Sequence, residues 1–126
     1  MVKQSEIKTI LVVEDDAGVR SFVFRTLTWA GYTTLAAANS ADAIRAITKH
    51  DKKIHLILID IIMPGIKGIS MITRLVKKCP RSKFMLMTDW DESARAKLPR
   101  MPAGLATFHK PFTPNELVDK VRSLLN

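Results

Sequence analysis

The run His55-Leu56-Ile57-Leu58-Ile59-Asp60 is apolar at consecutive positions, ends in a carboxylate and is followed directly by Ile61-Ile62-Met63-Pro64-Gly65. A strand with one face in water alternates apolar and polar residues. An unbroken apolar run needs cover on both faces, which is the condition of an interior strand in a parallel sheet. Thr9-Ile10-Leu11-Val12-Val13 repeats the pattern and also ends in acid, at Glu14, Asp15 and Asp16. Two interior strands therefore deliver carboxylates at their carboxyl ends.

Three further strands are predicted, over Thr33 to Ala38, Phe84 to Thr88 and Leu105 to His109. Helical spacing fills the intervals. Val19, Phe22, Val23, Thr26, Leu27 and Ala30 form one apolar stripe closed by Gly31; Ala43, Ile44 and Ile47 form a second, with Ser40 as its N-cap. Ile69, Ile72, Leu75 and Val76 form a third. The last helix carries a capping box of Thr113, Pro114 and Glu116, then Leu117, Val121 and Leu124. Between strands four and five, Asp91 to Leu98 offers few apolar positions before Pro99 and Pro102, so the helix there is expected to be short, shifted or mobile.

Strands alternating with helices imply parallel pairing through right-handed crossovers. The expected architecture is a doubly wound α/β domain with a five-stranded parallel sheet in the order 2-1-3-4-5 and helices on both faces. Ligands in such sheets sit beyond the carboxyl ends of the strands where the winding reverses, between strands one and three. Those are the strands that end in acid.

A chain of 126 residues suits one domain, read here as 1–126 with no output domain. Its single cysteine, Cys79, has no internal disulfide partner, which fits a reducing compartment. No apolar run reaches the roughly 20 residues of a membrane helix, and the N-terminus lacks a secretory h-region, so the expected location is cytoplasmic.

Converging carboxylates repel one another unless a cation joins them. Hard oxygen donors without a Cys or His cluster favour Mg²⁺. Strand four ends in the hydroxyl of Thr88, and Lys110 follows strand five, before Pro111. Carboxylates, hydroxyl and ammonium together suit a phosphoryl group.

The acidic trio after Leu11-Val12-Val13, the Asp60-x-x-Met63-Pro64-Gly65-x-x-Gly68 segment, Thr88 and Lys110-Pro111-Phe112 stand in the order and near the spacing of a known family. The chain resembles the receiver domain of two-component response regulators, a flavodoxin-like fold, over essentially its whole length. The resemblance implies that Asp60 is the phosphoacceptor, supplied by a histidine kinase or histidine phosphotransfer protein. It implies Mg²⁺ bound by Asp15, Asp60 and the backbone carbonyl of Ile62, with Glu14 acting through water, and Thr88 and Lys110 stabilising the transferring group. Asp16 is left as a helix cap or solvated loop residue. On this reading the domain is a phosphotransfer acceptor with at most slow autodephosphorylation.

Two positions, Asp89 and Thr107, depart from the family pattern. Asp89 stands after the hydroxyl residue, where receivers usually have a small one; it either narrows access to the pocket or points to solvent and caps the next helix. Trp90 and Ile62 occupy the positions that gate water's approach to the phospho-aspartate, and both are bulky, so slow formation and slow hydrolysis are expected. Thr107 replaces the aromatic switch residue. Phe108 is adjacent, but strand alternation sends it to the other sheet face unless the register slips.

His109, His50 and His55 read as structural or surface residues, and the Met85–Met87 segment as core. The formal charge of +8 grows when the presumed site residues are set aside. Arg74, Lys77, Lys78, Arg81 and Lys83 crowd the end of the third helix and the next loop, as a solvated basic face or as a surface for an acidic protein partner. Direct nucleic-acid contact is not expected, because no reading element is visible, and the chain is expected to be a monomer or weak dimer. Two other functions compete with phosphoacceptance. One is a degenerate receiver serving as a phosphorylation-independent interaction module. The other is a Mg²⁺-dependent phosphatase, which generally needs a second aspartate where Ile62 stands.

Overall fold

A computed structural model describes residues 7–60, 66–88, 106–109 and 111–125. In chain order they form β1 (Thr9–Val13), α1 (Ala17–Trp29), β2 (Thr33–Ala37), α2 (Ser40–Lys49), β3 (Leu56–Asp60), α3 (Ile66–Lys78), β4 (Lys83–Thr88), β5 (Ala106–His109) and α4 (Pro114–Leu125). The strands make one parallel five-stranded sheet in the order β2-β1-β3-β4-β5, as expected. The segment Asp91 to Leu98 lies outside the described residues. No helix among them is long and apolar enough to cross a membrane.

The unbroken apolar strands are explained by two cores, one on each face. Leu11, Val13, Ile57, Ile59, Phe84 and Leu86 point to one side and meet Ala43 of α2 with Ile72 and Leu75 of α3. Their alternate neighbours, Ile10, Val12, Leu56, Leu58, Met85 and Met87, point to the other side. There they meet Val23 and Leu27 of α1 and Leu117, Val121 and Leu125 of α4. Successive side chains leave a strand on opposite faces, so every position in β1 and β3 is buried. β2, at the sheet edge, has exposed Thr33 and Ala36.

Local signals set the helix ends. Asp16 caps α1, its side chain accepting the Val19 N–H at 2.9 Å. The helix closes where Gly31 adopts φ +104°, with the Tyr32 N–H bonded to the Leu27 carbonyl at 3.2 Å and the Gly31 N–H to the Thr28 carbonyl at 3.1 Å. This doubly bonded ending uses the left-handed conformation that glycine adopts without a Cβ penalty. In α4 the capping box forms as read. The Thr113 N–H donates to Glu116 Oε1 at 2.9 Å and the Glu116 N–H to Thr113 Oγ1 at 3.1 Å.

Strands β2, β3 and β4 differ from the predicted bounds by one residue at one end, at Ala37, Leu56 and Lys83, and two helix expectations also shift by one residue. The cap of α2 is Asn39 rather than Ser40: Asn39 is extended and accepts the Asp42 N–H at 2.8 Å, leaving Ser40 as the first helical residue. In α4 the buried row is Leu117, Val121 and Leu125, with Leu124 only partly buried, because residues four apart stack along one helix face. The carboxyl end of α4 is held by two lysines from other elements. Lys8 Nζ donates to the Leu125 carbonyl at 2.6 Å, and Lys83 Nζ donates to the Leu124 carbonyl.

β3 starts at Leu56, and the preceding His55 is tied to Thr9 through both its backbone and its side chain. The Thr9 N–H donates to His55 Nδ1 at 3.0 Å, while the His55 N–H donates to the Thr9 carbonyl at 2.9 Å. Burial lowers the imidazole pKa below 6.5, as do the positive charges of Lys53 and Lys8. A proton on Nδ1 would also displace the Thr9 N–H. The folded state thus binds this proton less readily than the unfolded chain does. The resulting stability is present above pH 6.5 and is lost as pH falls below it toward the folded-state value. Urea midpoints are expected to drop on acidification from about pH 7 to about pH 5, and less steeply in His55→Gln. Parallel slopes in the two proteins would assign the effect to other groups.

Candidate functional site

β1 and β3 lie side by side with Val13 opposite Ile59, so the chain passes in register to Glu14 and Asp60. The crossover through α1 leads from β1 to β2 on one side, while β3 and β4 continue on the other. The switch in winding therefore falls between β1 and β3, where a doubly wound sheet opens a crevice. Oxygen atoms of Glu14, Asp15 and Asp60 lie within 4.8 Å of one another there.

The three carboxylates are held differently. Glu14 is buried, with its N–H on the Ala37 carbonyl at 3.0 Å and its Oε1 accepting the Asp16 N–H at 3.0 Å. Asp60 is also buried, at 9% exposure, as the last residue of β3. Asp15 is exposed, so the cluster opens to solvent on its side. Asp16 is occupied with capping α1, and its backbone carbonyl accepts the Arg20 N–H at 2.9 Å.

Arg20 has a role that sequence reasoning missed. Its Nη1 donates to the Glu14 carbonyl at 2.8 Å and lies 3.5 Å from the Asp15 carbonyl, tying the acidic loop to the first turns of α1. A signal was present in its spacing, one turn after Asp16, which lets the side chain reach back over the loop.

Two ionised carboxylates at about 4.8 Å repel by roughly 3 kcal/mol at the effective dielectric of a protein surface. A divalent cation would turn that repulsion into attraction. The donors are all hard oxygens, two of them buried and one open to solvent, which fits Mg²⁺.

The remaining sequence-predicted positions are only partly covered. Thr88 ends β4 opposite His109 of β5, one step beyond the Met87 that pairs with Asp60, so its backbone lies at the same sheet edge. Ile62, Asp89, Trp90 and Lys110 lie outside the described residues. The residue after Pro111 is anchored: Phe112 lies 5.0 Å from Phe108 and 6.2 Å from Phe22, ring centre to ring centre.

That ladder settles where Phe108 goes. β5 pairs Thr107 with Leu86 and Phe108 with Met87, and Phe108 packs into the core shared with α1 and α4. The register does not slip. Phe108 is on the opposite sheet face from Thr107 and does not take its place.

A doubly wound sheet with three carboxylates at its switch point defines a class of phosphate- and metal-handling α/β domains. Residues 10–122 match the family described as response regulator receiver domain. The chain belongs to this family and is a receiver domain of two-component signalling. It is 30% identical to sporulation initiation phosphotransferase F of Bacillus subtilis, over 92% of each chain. It is 29% identical to the sensor kinase CckA of Brucella abortus, covering 93% of this chain but 12% of that protein. The crystal structure of TrrA from Thermotoga maritima, in complex with Mg²⁺-BeF, is 31% identical with a TM-score of 0.75, covering 94% of this chain and all of that one. Receiver domains take phosphoryl groups from histidine kinases or phosphotransfer proteins and bind Mg²⁺ at an acidic pocket; they are not enzymes in the ordinary sense.

Proposed function

We propose that this receiver accepts a phosphoryl group on Asp60 from a phosphohistidine of a histidine kinase or phosphotransfer protein. The observation that carries the reading is the meeting of Asp60 with Glu14 and Asp15 at the switch point. A carboxylate oxygen of Asp60 forms a bond to phosphorus as the phosphorus–nitrogen bond to the donor imidazole breaks. The imidazole leaves with the electron pair, and Asp60 becomes an acyl phosphate. Asp15, Asp60 and the Ile62 carbonyl would hold Mg²⁺ directly and Glu14 through water. When bound, that ion supplies charge neutralisation at the phosphate oxygens. The roles of Thr88 and Lys110 as hydroxyl and ammonium donors to the transferring group follow from the family's motif spacing.

Two features favour a different readout over lost acceptance. Thr107 brings no ring to the switch position, and Phe108 is committed to the other face. The phospho-form would therefore signal through a route that does not use the usual aromatic. Asp89, Trp90 and Ile62 would make the acyl phosphate slow to form and slow to hydrolyse.

Mass spectrometry after incubation with acetyl phosphate tests the central reading. A single phosphate adduct is expected with Mg²⁺ and none with EDTA; a chain that stays unmodified in both would favour the interaction-module alternative. Arg20 should matter through the loop it holds. Arg20→Ala is expected to weaken Mg²⁺ binding about tenfold by calorimetry, as supporting contacts around metal ligands usually do. Equal affinity in the variant would leave Arg20 a purely structural part of α1.

A further inference from the structure

β2 stands at one edge of the sheet, paired with β1 alone. The Thr33 N–H donates to the Lys8 carbonyl and the Ala37 carbonyl accepts the Glu14 N–H, both at 3.0 Å, so Thr33, Leu35 and Ala37 turn their backbone groups toward β1. Alternation then turns the N–H and carbonyl of Thr34 and Ala36 outward, and Ala36 is exposed. Proteins usually guard such an edge with lysine, proline or a bulge. β2 has none of these. Its register with β1 runs unbroken from Thr33 to Ala37, and residues 26–41 form the longest uncharged stretch in a chain whose formal charge is +8.

The helix beside this edge continues the pattern. α1 packs on β1 and β2, and its flank toward α4 is marked by Phe22, Thr26 and Trp29, which line the groove between the two helices. At about 3.6 residues per turn, Ser21, Phe24 and Thr28 fall on the opposite flank, on the side of the β2 edge. Phe24 is only half-buried and belongs to neither core. On the other sheet face, Leu35 is also partly buried, at the rim of the core shared with α2 and α3. Two apolar side chains thus border an outward row of backbone donors and acceptors.

We propose that the β2 edge is an interface with a second copy of this chain, the two strands pairing antiparallel so that one sheet runs through both copies. A two-fold axis through Leu35 sets Thr34 opposite Ala36 of the second copy and Ala36 opposite its Thr34, each pair exchanging both N–H···O bonds. The two Leu35 residues then meet with Cα atoms about 4.5 Å apart. Phe24 stands about 7.5 Å before the end of α1 and Leu35 about 7 Å into β2, with only residues 30–32 between the two elements. Phe24 therefore falls near the same axis and meets its own equivalent. A second copy is the occupant this surface selects, because the pattern is its own complement and because two chains of charge +8 repel least where neither presents a charge. The axis is perpendicular to the sheet, so the two Asp60 carboxylates stand at opposite ends and both stay open to a phosphodonor.

The test is sedimentation equilibrium of the whole chain from micromolar to near-millimolar concentration, at low and high sodium chloride, with melting curves to report folding. A weak dimer is expected, tightening with salt as the net charge is screened. Ala36→Lys and Phe24→Ser are each expected to weaken it about tenfold, the first by placing a charge at the edge and the second by removing the ring. Trp29→Ser, on the other flank of α1, should leave it unchanged. A chain that stays monomeric at every concentration overturns the proposal, as does a dimer that both edge variants leave intact or that Trp29→Ser disperses. Asp60 takes no part in this surface, so the result is independent of phosphate acceptance.

Discussion

Asp60→Asn is expected to remain folded and to carry no phosphate after incubation with acetyl phosphate and Mg²⁺. The amide is nearly the same size as the carboxylate, so the end of β3 keeps its packing and its register with β1 and β4. What disappears is the nucleophilic oxygen, together with one of the three negative groups gathered within 4.8 Å. Removing a like charge relieves repulsion, so the thermal midpoint should be unchanged or raised, while Mg²⁺ affinity falls with the loss of a ligand. Intact mass together with a melting curve checks both parts. An adduct of undiminished yield in the variant would place the acceptor elsewhere and remove the basis for the proposed chemistry.

Leu58→Ala should have the largest effect on stability. Leu58 has no exposed surface, stands in the central strand between Val12 and Met85, and joins the core shared with α1 and α4. Truncating a leucine in such a site removes its transfer free energy and leaves a cavity, at a cost of about 3 kcal/mol. Small domains hold roughly 5–15 kcal/mol in total, so this is a substantial share. A fall of about 10 °C in the thermal midpoint is expected, with the urea slope unchanged. A loss below about 1 kcal/mol would mean that neighbouring side chains close the gap, contrary to the tight packing of β3.

Much of this architecture was legible because burial leaves a local record. Unbroken apolar runs at Thr9–Val13 and Leu56–Asp60 mark strands covered on both sides, and the two cores supply that cover. The capping box at Thr113 and Glu116 was readable for the same reason, since both partners lie within one turn. Adjacent candidates were harder to separate. Asn39 and Ser40 are both good caps, and only the backbone path shows that Asn39 accepts the Asp42 N–H. Leu124 and Leu125 are equally apolar, and their difference in burial depends on where α4 meets the sheet.

In the site, Asp60 and the acidic trio were found from their places at strand ends. The division of labour within the trio could be read only in part, and hydrogen bonding now shows it: Asp16 is used by the helix, Glu14 is buried and braced, and Asp15 faces solvent. Arg20 escaped notice because its contacts are to backbone carbonyls, so that its spacing one turn after Asp16 was the one local signal of its role.

By itself the sequence determined which segments are strands and helices, which faces they bury, and that two strands end in acid. Each of these follows from periodicity within a few residues. Tertiary structure supplied the register that sets Glu14 and Asp60, far apart in the chain, side by side, and that keeps Phe108 off the face Thr107 occupies, as strand alternation predicted. It also decided that His50, Lys53 and Arg81 line one open groove at the other end of the sheet. Strand order and register set such meetings, and they arise from long-range packing that leaves no mark in local spacing.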